Sequence, residues 1–252
     1  MKTFHWIDKP EKATFISRPN RFTSVVKVSN VEKMVYLPDP GRLEELLIPG
    51  AEVIIEKRRN SGKTHHDLLL VETQSFQDKE PLMVSVDSRL PNKLFKWLIT
   101  ERLLNYFGNI KMIKSEPKVD HGRLDYYIES TNGKHFIELK SVNLLDASGT
   151  ARFPDAPTKR GTKHLNELMI LKKQGYTCWI FFLIVRNDAL SFSPFFERDP
   201  LFSKTLQKAR KAGVEIKALK FDIDRNIHFL GEVPVNTDNN NFAGYWPECK
   251  NL

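Results

Sequence analysis

Apolar residues up to about Gln74 come in short runs, at Thr14 to Ile16, Thr23 to Val28, Lys33 to Leu37, Glu52 to Glu56 and Asp67 to Val71. Pro, Gly, Asn and Asp separate them, and these residues suit turn geometries. Several short strands at this spacing predict a small barrel of the OB type. Arg42 to Leu47 adds one amphipathic helical turn, closed by Pro49-Gly50. From Asp87 the period lengthens: Leu94, Phe95, Leu98, Ile99, Leu103, Leu104 and Phe107 recur at helical spacing, after Asn92 as N-cap and before Gly108 as terminator. This predicts a helix of about 16 residues. Strands are predicted at Lys111 to Val119, Arg123 to Glu129 and His135 to Val142, the last two joined by a hairpin at Asn132-Gly133. A helix over Lys163 to Gln174 and a buried strand over Tyr176 to Val185 complete a helix, three-strand, helix, strand order. Strand, helix, strand at its end implies a parallel crossover. Leu201 to Ala212 reads as a further helix, and Val214 to Phe221 and Ile227 to Leu230 as strands. The predicted fold is mixed α/β. An N-terminal barrel spans residues 1–86, an α/β domain residues 87–235, and a loosely held tail residues 236–252.

The composition is that of an ordinary globular chain: 252 residues, 40% hydrophobic and 28% charged, enough to bury a sizeable core. Two cysteines, Cys178 and Cys249, supply neither a disulfide framework nor a four-ligand zinc site. Charges at Lys2, Asp8, Lys9, Glu11 and Lys12 interrupt any apolar leader, and the apolar run from Cys178 to Val185 is too short for a membrane span of ~20 residues. A cytoplasmic protein is therefore expected, with no membrane partner. Lys and Arg exceed Asp and Glu by 39 to 31, a formal charge of +8 that makes a polyanion a reasonable partner. No P-loop or dinucleotide glycine pattern is found, so no small-molecule cofactor is expected.

The chemistry concentrates on the predicted hairpin. Alternation along a strand puts Glu138 and Lys140 on one face, with Leu139 on the other. A turn centred on Asn132-Gly133 sets Asp125 opposite Lys140 and Tyr127 opposite Glu138. Asp125 and Glu138 then become diagonal neighbours roughly 7–8 Å apart at Cβ. Two carboxylates so placed can share a Mg²⁺ or Mn²⁺ ion, which keeps waters on its remaining positions. A metal polarises a phosphodiester and lowers the pKa of an attacking water, and Lys140 beside it can stabilise the charge that builds. The plainer alternative is a cross-strand ion pair between Asp125 and Lys140. The apolar neighbours Leu124, Tyr126, Phe136, Ile137 and Leu139 favour the metal site, because they predict an interior sheet where unpaired acids are costly.

This combination resembles the PD-(D/E)XK nuclease fold. The chain as a whole, from about Arg18 to Val235, resembles the sugar fermentation stimulation protein A family. The resemblance is carried by Arg21-Phe22, by Leu37 to Leu43, by Pro91-Asn92, by Arg123-Leu124-Asp125, by Glu138 to Val142 and above all by the long run Phe153 to Leu165. It implies an OB-like barrel joined to a nuclease-like domain with DNA, single- or double-stranded, as partner. It also implies a link to the regulation of sugar (maltose) metabolism, which a non-catalytic DNA-binding protein on the same scaffold would satisfy. Position by position, Asp125, Glu138 and Lys140 become the nuclease-type triad, and Glu101 on the first helix matches a place where that fold often adds a carboxylate. Asp39-Pro40 stands where relatives commonly show Asn-Thr, and Gly122 where they show Ser. Association with the nucleoid and a homodimer are both compatible with this picture.

DNA contacts are expected from Arg18, Arg21, Lys57, Arg58, Arg59 and Lys63 on the barrel, with Phe15, Phe22 and Tyr36 as aromatics able to stack on bases. Beyond the triad strand, Arg160, Lys163 and the N-terminus of their helix could hold a phosphate. His164 could assist them, but a helix-face histidine is more often structural or exposed, and Pro154 and Pro157 stiffen the loop before it.

Overall fold

The computed structural model describes residues 2–58, 64–120 and 122–238. Its elements run β1 (Thr3–His5), β2 (Pro10–Asn20), β3 (Thr23–Val28), β4 (Val31–Tyr36), β5 (Glu52–Lys57), β6 (His66–Gln74), β7 (Pro81–Ser85) and α1 (Leu90–Thr100). They continue with β8 (Ile110–Ser115), β9 (Lys118–Val119), β10 (Gly122–Arg123), β11 (Tyr126–Ser130), β12 (Gly133–Val142), β13 (Leu144–Leu145) and β14 (Thr150–Phe153). The chain closes with α2 (Lys159–Lys173), β15 (Thr177–Ile184), β16 (Ser191–Pro194), α3 (Pro200–Lys211), β17 (Glu215–Ile223) and β18 (Asn226–Glu232).

Alternation in the first half produces a six-stranded sheet of order β4-β3-β2-β5-β6-β7, curled so that β4 also meets β6 through Tyr36 and Asp67. Phe15, Val26, Val35, Leu37, Val53, Ile55, Leu68 and Val71 fill its interior. This is the OB-like barrel expected, with two departures. β1 pairs with β18 instead, so residues 3–5 belong to the other sheet. The segment after Gly41 makes a single turn closed by Leu46 N and Leu47 N on Leu43 O, not a helix.

The second half builds a seven-stranded sheet of order β1-β18-β17-β15-β12-β11-β8, in which β12, β15 and β17 are parallel. Leu94, Phe95 and Leu98 of α1 cover one face, and Leu165, Leu168, Phe202 and Leu206 of α2 and α3 cover the other. β15 is buried along seven of its eight residues, as its unbroken apolar run predicts. Thr158 caps α2 by accepting from Gly161 N at 3.0 Å, and Asp199 caps α3 by accepting from Phe202 N at 2.9 Å. Asp199 also accepts from Thr158 N at 2.7 Å, which ties the two helix starts together. A Cβ on Gly161 would stand 2.8 Å from Thr158 Cγ2 and 3.1 Å from the Phe202 ring, so a larger residue there would crowd both the cap and the α2–α3 contact.

Three expectations need correction. α1 has 11 residues, not about 16. Arg102, at φ 54°, and Leu103 send their N–H groups back to Ile99 O and Leu98 O, a Schellman closure without glycine. α2 begins at Lys159, four residues before the expected start. The first residues of the predicted tail are held: Thr237 is 1% exposed and bonded to Gln207 and Arg210. The rest of that tail, with Phe242, Tyr245 and Trp246, lies outside the described residues. Among the described residues no helix is long and apolar enough to cross a membrane.

Candidate metal centre and its surroundings

The hairpin joining β11 to β12 turns on Thr131-Asn132, and Ser130 faces Gly133 across it. The predicted centre was one residue later. Partners therefore shift by two positions, which keeps every side chain on its predicted face. Carried one step beyond the last pair, Tyr126 with Ile137, this register sets Asp125 opposite Glu138 rather than opposite Lys140.

Asp125 sits at the end of β11, its N–H donating to Ile137 O at 3.1 Å. Its carboxylate accepts from Leu139 N at 2.7 Å and from the Asn92 amide at 3.3 Å. Burial, then the charge of Glu138, hold its pKa above the ordinary carboxylate value. Glu138 is 2% exposed in the middle of the sheet. One of its oxygens, Oε1, meets both the Lys140 ammonium and His164 Nδ1. Burial alone would raise the Glu138 pKa, but Lys140 and His164 outweigh it and hold the group below its ordinary value. The other oxygen, Oε2, is buried and has no hydrogen-bond partner.

His164 is drawn in by α2, which packs on the same face of β12. Arg160, one turn earlier on that helix, donates from Nε to His164 Nε2 at 3.4 Å. That contact leaves Nδ1 as the protonated nitrogen, donating to Glu138. His164, read from the sequence chiefly as a structural or exposed helix-face residue, instead meets Glu138. Its signal was the i, i+4 spacing from Arg160 on the helix that returns over the acidic strand.

An orphaned buried carboxylate oxygen beside a second carboxylate fits a hard divalent cation. The pair supplies oxygen ligands only, as Mg²⁺ and Mn²⁺ prefer. Among the described residues no group of three or more His, Cys, Asp or Glu is arranged to hold a metal ion by itself. Further ligand positions would fall to water or to phosphate oxygens. Glu101 does not join the pair. It caps the C-terminal end of α1, nine residues from Asn92, and pairs with Lys2 at 2.9 Å.

The basic residues divide. The Arg18 guanidinium is spent on backbone carbonyls, donating to Arg42 O at 2.5 Å, Arg21 O at 2.9 Å and Asp39 O at 3.1 Å. Arg21 is exposed at a cleft of about 710 Å³ that Lys140 also lines. Lys57 and Arg58 border a separate cleft of about 770 Å³, where Arg58 pairs with Asp67 at 3.1 Å. Arg160 and Lys163 are exposed on the first turn of α2. Arg59 and Lys63 lie outside the described residues. Phe15 is core, while Phe22 is 46% exposed.

The first cleft lies where the barrel meets the α/β half. Asp155 accepts from Arg42 N at 2.7 Å and Asp39 accepts from the Asn143 amide at 3.2 Å. A Cβ on Gly41 would stand 2.2 Å from Asp155 Oδ2, so only glycine permits that approach. Burial, and secondarily Asp155, push the Asp39 pKa up to about 6.

Two family models match the chain, an SfsA N-terminal OB domain over residues 16–79 and a sugar fermentation stimulation protein RE domain over residues 89–227. A sugar fermentation stimulation protein homolog of Desulforamulus reducens is 41% identical over 225 residues, covering 89% of this chain and 91% of the relative. The homolog of Moorella thermoacetica is 42% identical over 216 residues, covering 84% and 90%. Among solved structures, SfsA of Pyrococcus furiosus in complex with Ca²⁺ is 32% identical and matches with a TM-score of 0.85, covering 94% of this chain and 99% of that one. With both halves of the chain matched in order, and full-length relatives at this identity, the chain belongs to the sugar fermentation stimulation protein family.

Proposed function

We propose that the protein is a DNA-binding phosphodiesterase dependent on Mg²⁺ or Mn²⁺, with Asp125 and Glu138 as metal ligands and Lys140 as the third member of the triad. The observation that carries this proposal is Glu138 Oε2, buried and without a hydrogen-bond partner beside the Asp125 carboxylate. Leaving such an oxygen unsatisfied costs roughly 1–3 kcal/mol or more, and a cation would relieve both the orphan and the repulsion within the pair. The Ca²⁺ in the Pyrococcus furiosus relative supports a divalent ion.

When bound, the metal would supply Lewis acidity toward a phosphodiester and toward an attacking water. The side chains do the rest. Lys140 compensates the negative charge that grows on the phosphoryl oxygens as water attacks phosphorus and the ester P–O bond breaks. His164, held by Arg160, fixes Glu138 Oε1 so that Oε2 stays turned away for the metal. Arg160 and Lys163 at the α2 N-terminus offer charge to a neighbouring phosphate. Action on DNA accords with a cytoplasmic protein that associates with the nucleoid.

One feature favours a second role on the same scaffold, a non-catalytic DNA-binding regulator of sugar metabolism. Lys140 and His164 already compensate Glu138 without any metal. Cleavage of DNA by the full-length protein with Mg²⁺ or Mn²⁺ separates the two. Glu138→Ala is expected to lower the rate by about 10²-fold or more. Mn²⁺ at ~100 times its Kd should stabilise the wild type by about 2.7 kcal/mol, and the variant not at all. Equal cleavage by the variant would remove the metal site. Salt-sensitive DNA binding with neither turnover nor Mn²⁺ stabilisation would leave the regulator.

A further inference from the structure

We infer that the barrel takes DNA as a single strand, with an unpaired base stacked on Phe22 and the adjoining phosphates held by Arg21 and Arg42. This rests on the proposal above that DNA is the ligand, and specifies its form.

Three observations converge. First, Phe22 is 46% exposed, an unusual setting for a large apolar ring, and it directly follows Arg21, which lines the cleft. Its ring stacks on Tyr36 at 6.3 Å between centroids and 12° between planes, and the Arg58 guanidinium lies 4.7 Å from the Tyr36 centroid. Phe22 is thus held flat by its neighbours while still offering surface to solvent. Bases inside a duplex are already stacked on each other, so a ring presented this way can serve only an unpaired base.

Second, the Arg18 guanidinium donates to the carbonyls of both Arg21 and Arg42, so one half-buried side chain holds two separate turns side by side. Arg21 and Arg42 are themselves exposed, both line the cleft, and neither pairs with a described residue. Arg21 directly precedes Phe22, which puts phosphate and base contacts at adjacent positions. Third, the cleft into which these arginines face has Lys140, Ser141 and Asn143 of the opposite half on its other side. At about 710 Å³ it has the size of a small-ligand pocket, room for a nucleotide or two of one strand. A strand gripped by Arg21 and Arg42 would lead to Lys140.

The test is fluorescence anisotropy with the full-length protein in EDTA, so that no turnover occurs. The probes are a ~16-nucleotide oligothymidylate and a blunt duplex of equal length. The single strand is expected to bind about tenfold more tightly than the duplex. Phe22→Ala should weaken single-strand binding about tenfold, Phe22→Trp should restore it, and both should leave duplex binding within about twofold. Arg21→Ala combined with Arg42→Ala should reduce both single-strand affinity and the salt slope, the latter by about 1.4. Preference for the duplex, or a Phe22→Ala protein with unchanged single-strand affinity, would overturn the inference. Binding read in EDTA is measured apart from turnover. A protein that binds single strands but never cleaves them would therefore defeat only the catalytic proposal.

Discussion

Two buried carboxylates in the α/β half are each paired with a cation two residues away along the chain, yet only one is finished. Asp188, 2% exposed, accepts from Arg186 Nε at 2.6 Å, from the second Arg186 nitrogen at 2.9 Å and from Phe76 N at 2.8 Å. Arg186 is completed by Asn143 O at 3.1 Å. Burial would raise the Asp188 pKa, but its hydrogen bonds and the Arg186 charge hold it below the ordinary value. Glu138 is as deeply buried and has two cationic or donor partners, yet both use Oε1 and leave Oε2 bare. A closed ion pair joins the barrel's β6–β7 connection, at Phe76, to the α/β half; an open one waits for something to complete it. Burial and charge are common to both, so the difference lies in the unfilled valence.

The sharpest way to break this contrast is by stability. Asp188→Ala should cost about 3–5 kcal/mol in denaturant unfolding, because it strands a buried guanidinium. Glu138→Gln, which keeps an oxygen for Lys140 and His164 while removing the repulsion with Asp125, should stay within about 1 kcal/mol of wild type. If the two variants were equally damaging, Glu138 would be another structural ion pair.

Asp39 is the intermediate case: half-buried between the two halves, its carboxylate bonded to Gly41 N at 2.8 Å and to the Asn143 amide, while the Arg18 guanidinium reaches only its backbone carbonyl. Its folded pKa of about 6 lies above the unfolded value near 3.8, so the native state binds the extra proton between those pH values. Stability from this group is therefore fully present below pH ~4 and is lost as pH rises through ~6. Asp39→Asn should raise unfolding stability by about 1–2 kcal/mol at pH 8 and by nothing at pH 4. A pH-independent gain would show that Asp39 is compensated as Asp188 is.

The smallest effect belongs to Glu101, whose ion pair with Lys2 is half exposed. Glu101→Ala should change stability by less than about 0.5 kcal/mol and leave DNA cleavage within about twofold. A loss of cleavage comparable to that of Glu138→Ala would return Glu101 to the metal centre.

How much of this was legible depends on the range of the interaction. Barrel strands, the α2–β15 crossover and the shared face of Glu138 and Lys140 follow from alternation and turn residues, which act over a few positions. The site residues Asp125, Glu138 and Lys140 could be brought together on paper because one hairpin connects them. His164 could not, because its place beside Glu138 depends on how α2 lies across the sheet. Glu101 came from the resemblance alone, and only the packing of α1 sets its side chain, at the C-cap, against Lys2. Phe22 and Phe15 look alike in sequence, and only the curl of the barrel buries one and exposes the other.

By itself, the sequence determined the element order, the barrel-then-α/β architecture and the polarity of each strand face, since these are consequences of local periodicity and turn stereochemistry. The tertiary structure alone decided the hairpin register, the unfilled oxygen of Glu138, the convergence of Arg21 and Arg42 on Arg18, and the cleft between the two halves. Each depends on groups that meet only after distant segments pack, and packing responds to shape and volume summed over the whole core, which no short stretch of chain encodes.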